Sequence, residues 1–435
     1  MSTIEHIQEQ LNTLAAEKKN GALQPIRERA LADFGKMGIP VRHEEWKYTR
    51  ISSLFNSPYT LGTAGSGATF SLADMEAIHL PGYEEANELV FVNGFFVPGL
   101  SVIRSASLTL QTLGEAAANE FSDIVGKNLG HSRAYLNDGI NALNTAFVHD
   151  GIFLAIAKNK TLEHPVYIYN ITDTRQDHVL SQPRCLIYVA ENASAQFVET
   201  FVTLGTQNSF TNQVMEIVVE KGANLEHYKI QNDATHAHQV STTHIRQTGK
   251  SYVHTVTISL NGGIVRNNLN LVLDAEYCEA HMYGLYLPDG QSHIDNHTVV
   301  DNVKPNCFSN EFYKGIMDGK STGVFNGKIF VQPQAQKTNA YQSNKNVLLS
   351  EDATINAKPQ LEIFADDVKC SHGCTVGRLN EDGLFYLQSR GIPFKVARSL
   401  LLHAFAVDIL EHIKPVAIRE YVDQLISHKL EYDVA

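Results

Sequence analysis

Three residues able to hold a soft metal ion or handle sulfur stand two apart in the segment ADDVKCSHGCTVG: Cys370, His372 and Cys374. Thiolate and neutral imidazole are the side chains that soft and borderline transition metals select. If the segment is extended, Cys370 and Cys374 lie about 13 Å apart at the strand rise. Two sulfurs on one ion sit only about 4 Å apart, given metal–sulfur bonds of about 2.3 Å. A straight strand therefore cannot bring both cysteines to one ion. Cys370 with His372, or His372 with Cys374, can share one, and a bend at Gly373 would relax the limit. Spacing leaves three readings open: packed structural thiols, a half-site completed by another subunit, or a lone nucleophilic cysteine. The last would need a base and a thiolate-favouring setting, and Lys369 is the only adjacent cation.

A second set of candidate ligands is His293, Asp295 and His297 in SHIDNHTVVDN, from a chain with 19 histidines. On a strand these three point to one side, so two imidazoles and a carboxylate would converge as in a metal-dependent hydrolase. Imidazoles stacked along a repeating array are more often hydrogen-bonded ladder residues, and no closed ligand set is visible; His236 and His238 raise the same question. GIMDGKST imitates a phosphate loop, but Gly315, Gly319, Lys320 and Ser321 are one residue too closely spaced. The strand-like TGVFNGKIFV follows, where a phosphate loop needs a helix to supply its amides. A turn between strands is the better reading, and the chain is not expected to hydrolyse ATP by itself.

The elements that must position these residues fall into three regions. The first reads as mostly helical: Ile4, Ile7, Leu11 and Leu14 share a helical face, and GALQPIRERALADFGKMG follows with Pro25 near its start and Gly at its end. LVFVNGFFVPGL gives two short strands about an Asn93-Gly94 hairpin turn, and FSDIVGKNLGHSRAYLNDGINALNTAF is helical again. The middle region alternates apolar and polar residues, as in Val256, Ile258 and Leu260, Leu269, Leu271 and Leu273, Ile329 and Val331, and Leu361 and Ile363. That period predicts strands with one buried face. The turn units ENASAQFVE, EKGANLEHY, QTGKSYVHT, DAEYCEAHM and SEDATINAK resemble one another at about 25 to 30 residues, the spacing of a stacked array. The last region is helical, with Asn380 capping EDGLFYLQSR, Gly391 ending it, and Pro393 and Pro415 opening two further helices. Helices at both ends cover strands that would otherwise invite edge pairing.

Composition narrows the function. The 435 residues carry a net charge of −12 and no Lys/Arg run, which disfavours a nucleic-acid partner. No apolar stretch is long enough to span a bilayer and the N-terminus has no secretory pattern, so the expected setting is cytoplasmic, without a membrane partner. Cys185, Cys278, Cys307, Cys370 and Cys374 are an odd number, which argues against a disulfide framework.

ADDVKCSHGCTVGRLNEDGLFYLQSRGIPFKVARSLLLHAF closely resembles the C-terminal signature of the SufB/SufD family of the SUF iron–sulfur cluster assembly machinery, its D branch in particular. RHEEWKYT, ALNTAFVHDGIF, HIDNHTVVDNVKPNCFSNEFYKGI and GVFNGKIFVQPQAQKTNAYQSNKNVLLS agree with the same family. The resemblance implies a mainly β fold: a right-handed parallel β-helix over residues 143–377, between a mostly helical N-terminal domain (1–142) and a C-terminal helical domain (378–435). It implies a non-catalytic scaffold whose β-helix pairs with SufB, or with a second copy when isolated, and whose C-terminal helices dock SufC, an ABC-type ATPase. His372, with Cys370, would lie at the SufB interface and contribute to iron or nascent-cluster handling, while SufB supplies further thiolates. No tightly bound cofactor is expected in the chain alone; iron or an Fe–S cluster would bind transiently, and reduced flavin at the level of the complex. One departure stands out, since Cys374 occupies the position of the alanine in the family's CSHGAT. A small buried space filled by the thiol is the expected role, with an accessory thiolate as the alternative.

Overall fold

The computed structural model describes residues 7, 9, 21–62, 70–148 and 151–432. Pro25 presets the first turn of helix Gln24–Met37, and Gly38 ends it at φ 58°. Of the apolar face foreseen before it, Ile4, Leu11 and Leu14 lie outside the described residues, and Ile7 is buried. Asn93 and Gly94 both take positive φ and fold Phe95–Phe96 back antiparallel on Asn87–Val92, the hairpin their composition demands. Short helices Ser122–Asn128 and Gly139–Ala146 complete the N-terminal part, the latter capped by the Asp138 side chain. The foreseen boundary at residue 142 falls within that helix, and Asn87–Val92 pairs in parallel with Val166–Thr174.

From Arg184 to Gly377 the chain alternates between two sheets, each successive strand pairing in parallel with an earlier strand of its own sheet. The first sheet runs through Arg184–Val189, Ser209–Val219, Ala237–Gln247, Ile264–Leu273, His293–Asn302 and Thr322–Val331 to end at Thr354–Ile363. The second runs through Ser194–Gly205, Asn224–Asn232, Tyr252–Asn261, Glu279–Tyr286, Phe308–Met317 and Asn339–Leu348 to end at Lys369–Gly377. This is a parallel β-solenoid of about eight turns, the stacked alternative among those the period-two runs allowed. Four of the five turn units open equivalent strands, because Ser194, Asn224, Tyr252 and Glu279 stand in one register line. The fifth, SEDATINAK, opens a strand of the other sheet. The segment after Met317 is the expected turn, with Gly319 at φ 63° before the strand from Thr322.

The solenoid is filled by a continuous apolar column that includes Phe197, Met215, Leu225, Ile245, Leu271, Met282, Phe325 and Ile329. The outer faces are also covered, which one-face alternation did not foresee: Ser209–Val219 is buried at every position. On the first sheet the N-terminal part is pinned by Glu216, which accepts 2.8 Å hydrogen bonds from the backbone of Gly130 and Ser132 and pairs with Arg184 at 2.5 Å. On the second sheet Val256, Ile258 and Leu260 pack outward, beneath Leu402, Ala406 and Ile409 of the C-terminal helices. Helices Glu381–Ser389, Phe394–Leu410 and Val416–Tyr432 make that cover. Asn380 caps the first through a 2.9 Å bond from Gly383 N, Gly391 follows it at φ 82°, and Lys314 ties the second to the sheet through the Phe405 carbonyl at 2.8 Å.

Candidate functional site: the open rung of the solenoid

Cys370, His372 and Cys374 lie on the last strand of the second sheet. Lys369–Gly377 pairs with Asn339–Leu348 without interruption from Asn339↔Lys369 to Val347↔Gly377. Gly373 stays in that ladder opposite Ser343 and does not bend it, so the two cysteines remain about 13 Å apart. Their direction follows from the strand beneath. In Asn339–Leu348 the buried residues are Ala340, Gln342, Asn344 and Asn346, the row that faces the lumen. Register sets Cys370, His372, Cys374 and Val376 over these four. The three donors therefore point inward like core residues, yet lie at the mouth of the lumen with no further rung above them among the described residues.

Burial grades along the row. Cys370 packs against the lumenal apolar column, whereas His372 and Cys374 are exposed, and Cys374 Sγ stands 3.7 Å from Asn344 Oδ1. Burial pushes both thiols above the ordinary cysteine pKa. That is opposite to the lowered pKa of an activated thiolate, and weighs against the lone-nucleophile reading. Cys185, Cys278 and Cys307 are buried elsewhere in the body. Among the described residues, no group of three or more His, Cys, Asp or Glu is placed to hold a metal ion. The terminal row is thus a set of soft donors spread along an open edge rather than a closed ligand set.

The hydrolase alternative on His293, Asp295 and His297 is overturned by geometry. These residues do share the outer face of the first sheet, but the segment RHEEWKYT is clamped across them. Thr49 Oγ1 lies 2.8 Å from His293 Nε2 and donates to Asp295 Oδ2 at 2.5 Å. His297 Nε2 meets Glu45 Oε2 at 2.7 Å, and Lys328 pairs with the other oxygen of Glu45. Arg266 donates to the Glu45 carbonyl at 2.6 Å, reaches Asp295 at 3.2 Å, and carries the Trp46 ring 4.0 Å from its Cζ. Burial would raise the Asp295 carboxyl, but the Arg266 charge, the His297 ring nearby and the bond from Thr49 overcome it and hold the group at about 2. The His297 hydrogen bond leads the lowering of Glu45 well below the ordinary carboxylate range, while burial lowers His293. This is a structural latch: Thr49, Glu45 and Arg266 occupy one atom or more of each candidate ligand, and among the described residues no three such groups are placed to hold a metal ion. His236 and His238 likewise serve the backbone, His236 Nε2 at 3.2 Å from the Gly205 carbonyl and His238 Nδ1 accepting from Ile264 N at 3.0 Å.

Sequence reasoning did not single out the residues directly beneath the donor row. Gln342 lies under His372, and Glu311 under Gln342, in consecutive register pairs. Gln342 Nε2 donates to Glu311 Oε2 at 2.7 Å inside the lumen. The signal was available as two polar residues one rung of sequence apart, each on the inward parity of its strand.

The chain is thus a parallel β-solenoid flanked by N-terminal and C-terminal helices, with a row of soft donors on its last rung. Residues 170–405 match the SufBD core domain of the SUF system for FeS cluster assembly, and residues 2–168 match the SufBD N-terminal region. The chain is 32% identical over 412 residues to an iron-sulfur cluster assembly SufBD family protein of Synechocystis, covering 92% of this chain and 90% of that one. It is 30% identical over 416 residues to iron-sulfur cluster assembly protein SufD of Escherichia coli, covering 93% of each. Protein ABCI7, chloroplastic, of Arabidopsis thaliana is 31% identical over 294 residues, 66% of this chain and 61% of that protein. The chain belongs to the SufBD family of iron–sulfur cluster assembly proteins, as a homologue of SufD.

Proposed function

We propose that this chain is the D-type scaffold subunit of a cytoplasmic SUF assembly complex, without an active site of its own. It pairs with SufB through the open end of the solenoid and docks the SufC ATPase on its C-terminal helices. His372, aided by Cys370, supplies part of a site for iron or a nascent cluster, and SufB supplies the remaining thiolates. The observation that carries this reading is the coincidence, on one terminal rung, of inward soft donors and two sheet edges. Thr354–Ile363 and Lys369–Gly377 each end their sheet, and open edges are templates for pairing with another chain. Ile363, Phe364 and Val376 stand exposed there, and covering them would release the water that exposed apolar surface orders. Without SufB, the same edges offer a second copy of this chain the same pairing.

The helix face supports the ATPase contact independently. Phe385, Tyr386, Phe394, Val396 and Leu400 are exposed, Phe385 at 74%, on two consecutive helices. Iron or the cluster is cargo under this reading, and reduced flavin belongs to the assembled complex. Co-expression with SufB and SufC tests it: the three chains are expected to purify together, and failure to bind either removes the scaffold reading. In the assembled complex His372→Ala is expected to leave the stoichiometry unchanged and to lower cluster yield. An unchanged yield would clear His372 of the role.

A further inference from the structure

The lumenal column that ends in His372 contains an ionisable group not used above. Register places Met282, Glu311, Gln342 and His372 in one line across four successive strands of the second sheet. Glu311 is fully buried, and its Oε2 takes the amide hydrogen of Gln342. Its Oε1, and Oε1 of Gln342, have no hydrogen-bond partner among the described residues. The opposite sheet is shaped to admit the amide. A Cβ on Gly327 would come within 2.3 Å of Gln342 Nε2, so the bare glycine leaves the space into which the side chain extends.

We propose that Glu311 and Gln342 form a charge-coupled amide switch that positions the His372 ring, an inference that rests on His372 being a donor of the proposed site. An ionised carboxylate can only accept a hydrogen bond, so it holds Gln342 by its NH2 and leaves the amide carbonyl free. That carbonyl, which has no partner among the described residues, is the acceptor that a ring N–H of His372 one rung above would find on turning inward, keeping the other nitrogen's lone pair for a metal ion. A neutral Glu311 donates its own O–H to the amide carbonyl. The amide then turns, and its NH2 competes for the ring lone pair. Glu311 is thus a positioning residue, acting on the donor through Gln342 rather than touching cargo.

Burial is the first cause of a Glu311 carboxyl raised to about 7, with the Gln342 bond opposing it. The change of state therefore falls in the neutral range. The groups facing Glu311 are Gln342 and Met282 on the flanking strands, Tyr313 on its own strand and Thr298 across the lumen. The charged lumenal cluster of Glu199, His227 and Lys229 begins three rungs deeper, roughly 14 Å at the usual strand spacing. A cation arriving at the mouth favours the carboxylate, and so favours the amide orientation that serves it.

The test is the tautomer state of the His372 ring in the full-length chain, read from imidazole nitrogen shifts in histidine-labelled protein and assigned with His372→Ala. In the wild type the ratio of the two neutral tautomers is expected to change about threefold or more through a midpoint near that of Glu311. Glu311→Gln and Gln342→Met, each checked for an unchanged unfolding transition, are expected to abolish that step. A ratio indifferent to pH in the wild type, or a step that survives both substitutions, overturns the switch. Should one variant fail to fold, the other still decides. The site reading fails separately: if His372→Ala leaves cluster yield unchanged, the donor role is gone whatever the ring reports.

Discussion

Trp46 lies over the guanidinium of Arg266, its ring 4.0 Å from Cζ, while its indole nitrogen donates to Asp138 Oδ2 at 3.0 Å. One side chain thus joins the N-terminal segment, the capped helix Gly139–Ala146 and the outer face of the solenoid. The latch over His293, Asp295 and His297 is built around it.

Trp46→Ala is expected to cost about 3–5 kcal/mol, the range for deleting a large buried aromatic, because Arg266 and Asp138 also lose a partner. Trp46→Phe should cost less, about 1–3 kcal/mol, since the ring stays and the indole bond goes. Urea unfolding followed by circular dichroism measures both. Trp46 is the single tryptophan, so wild-type fluorescence reports this latch. An equal stability for wild type and Trp46→Ala would contradict the latch.

Arg184 and Glu216 form a pair with side chains only 1% and 2% exposed. Glu216→Gln should destabilise by about 3–5 kcal/mol by leaving a buried guanidinium uncompensated. The double change Arg184→Met with Glu216→Leu should cost less than the two single changes together. Additive losses in a double-mutant cycle would show the pair to be uncoupled.

Glu311 makes stability depend on pH in a direction opposite to most carboxylates. Its folded pKa is raised from 4.5 to about 7, so the unfolded chain ionises first as pH rises. The neutral acid's contribution is fully present below pH 4.5 and is lost as pH climbs to about 7. Glu311→Gln should therefore match wild type near pH 4 and exceed it at about pH 8, by roughly 3 kcal/mol at most. Urea midpoints at the two pH values check this, and a difference that does not grow with pH contradicts it.

Thiol labelling separates the terminal row from the body. In the native chain iodoacetamide should modify Cys374 and, more slowly, Cys370, and leave the buried Cys185, Cys278 and Cys307 untouched until unfolding. Rates should climb with pH through and beyond the ordinary thiol range, because burial raises both the Cys370 and the Cys374 thiol. Bound SufB should protect Cys370 and Cys374. Mass mapping of the labelled peptides shows which cysteines react, and equal labelling with and without SufB would place the partner elsewhere.

Much of this molecule is legible in its residues alone. Pro25, the Asn93-Gly94 pair, Asn380 and Gly391 act through their own backbone geometry, so they announce turns and helix ends without help from distant contacts. Strand periodicity and the recurring corners announce stacking, since a rung of two short strands cannot bury its own apolar face. The strand rise likewise denied Cys370 and Cys374 a common ion. Other features depend on which residues stack after some thirty intervening ones. Register turned Cys370, His372 and Cys374 inward and set Gln342 and Glu311 behind them. The placement of Glu45, Trp46 and Thr49 turned a plausible metal triad, His293, Asp295 and His297, into a latch. Helices from both ends of the chain buried the outer faces that local alternation marked as open. Local sequence governs dihedral preference and period; contact between remote segments decides which polar groups meet, and hydrogen bonds and charges act only at contact distance.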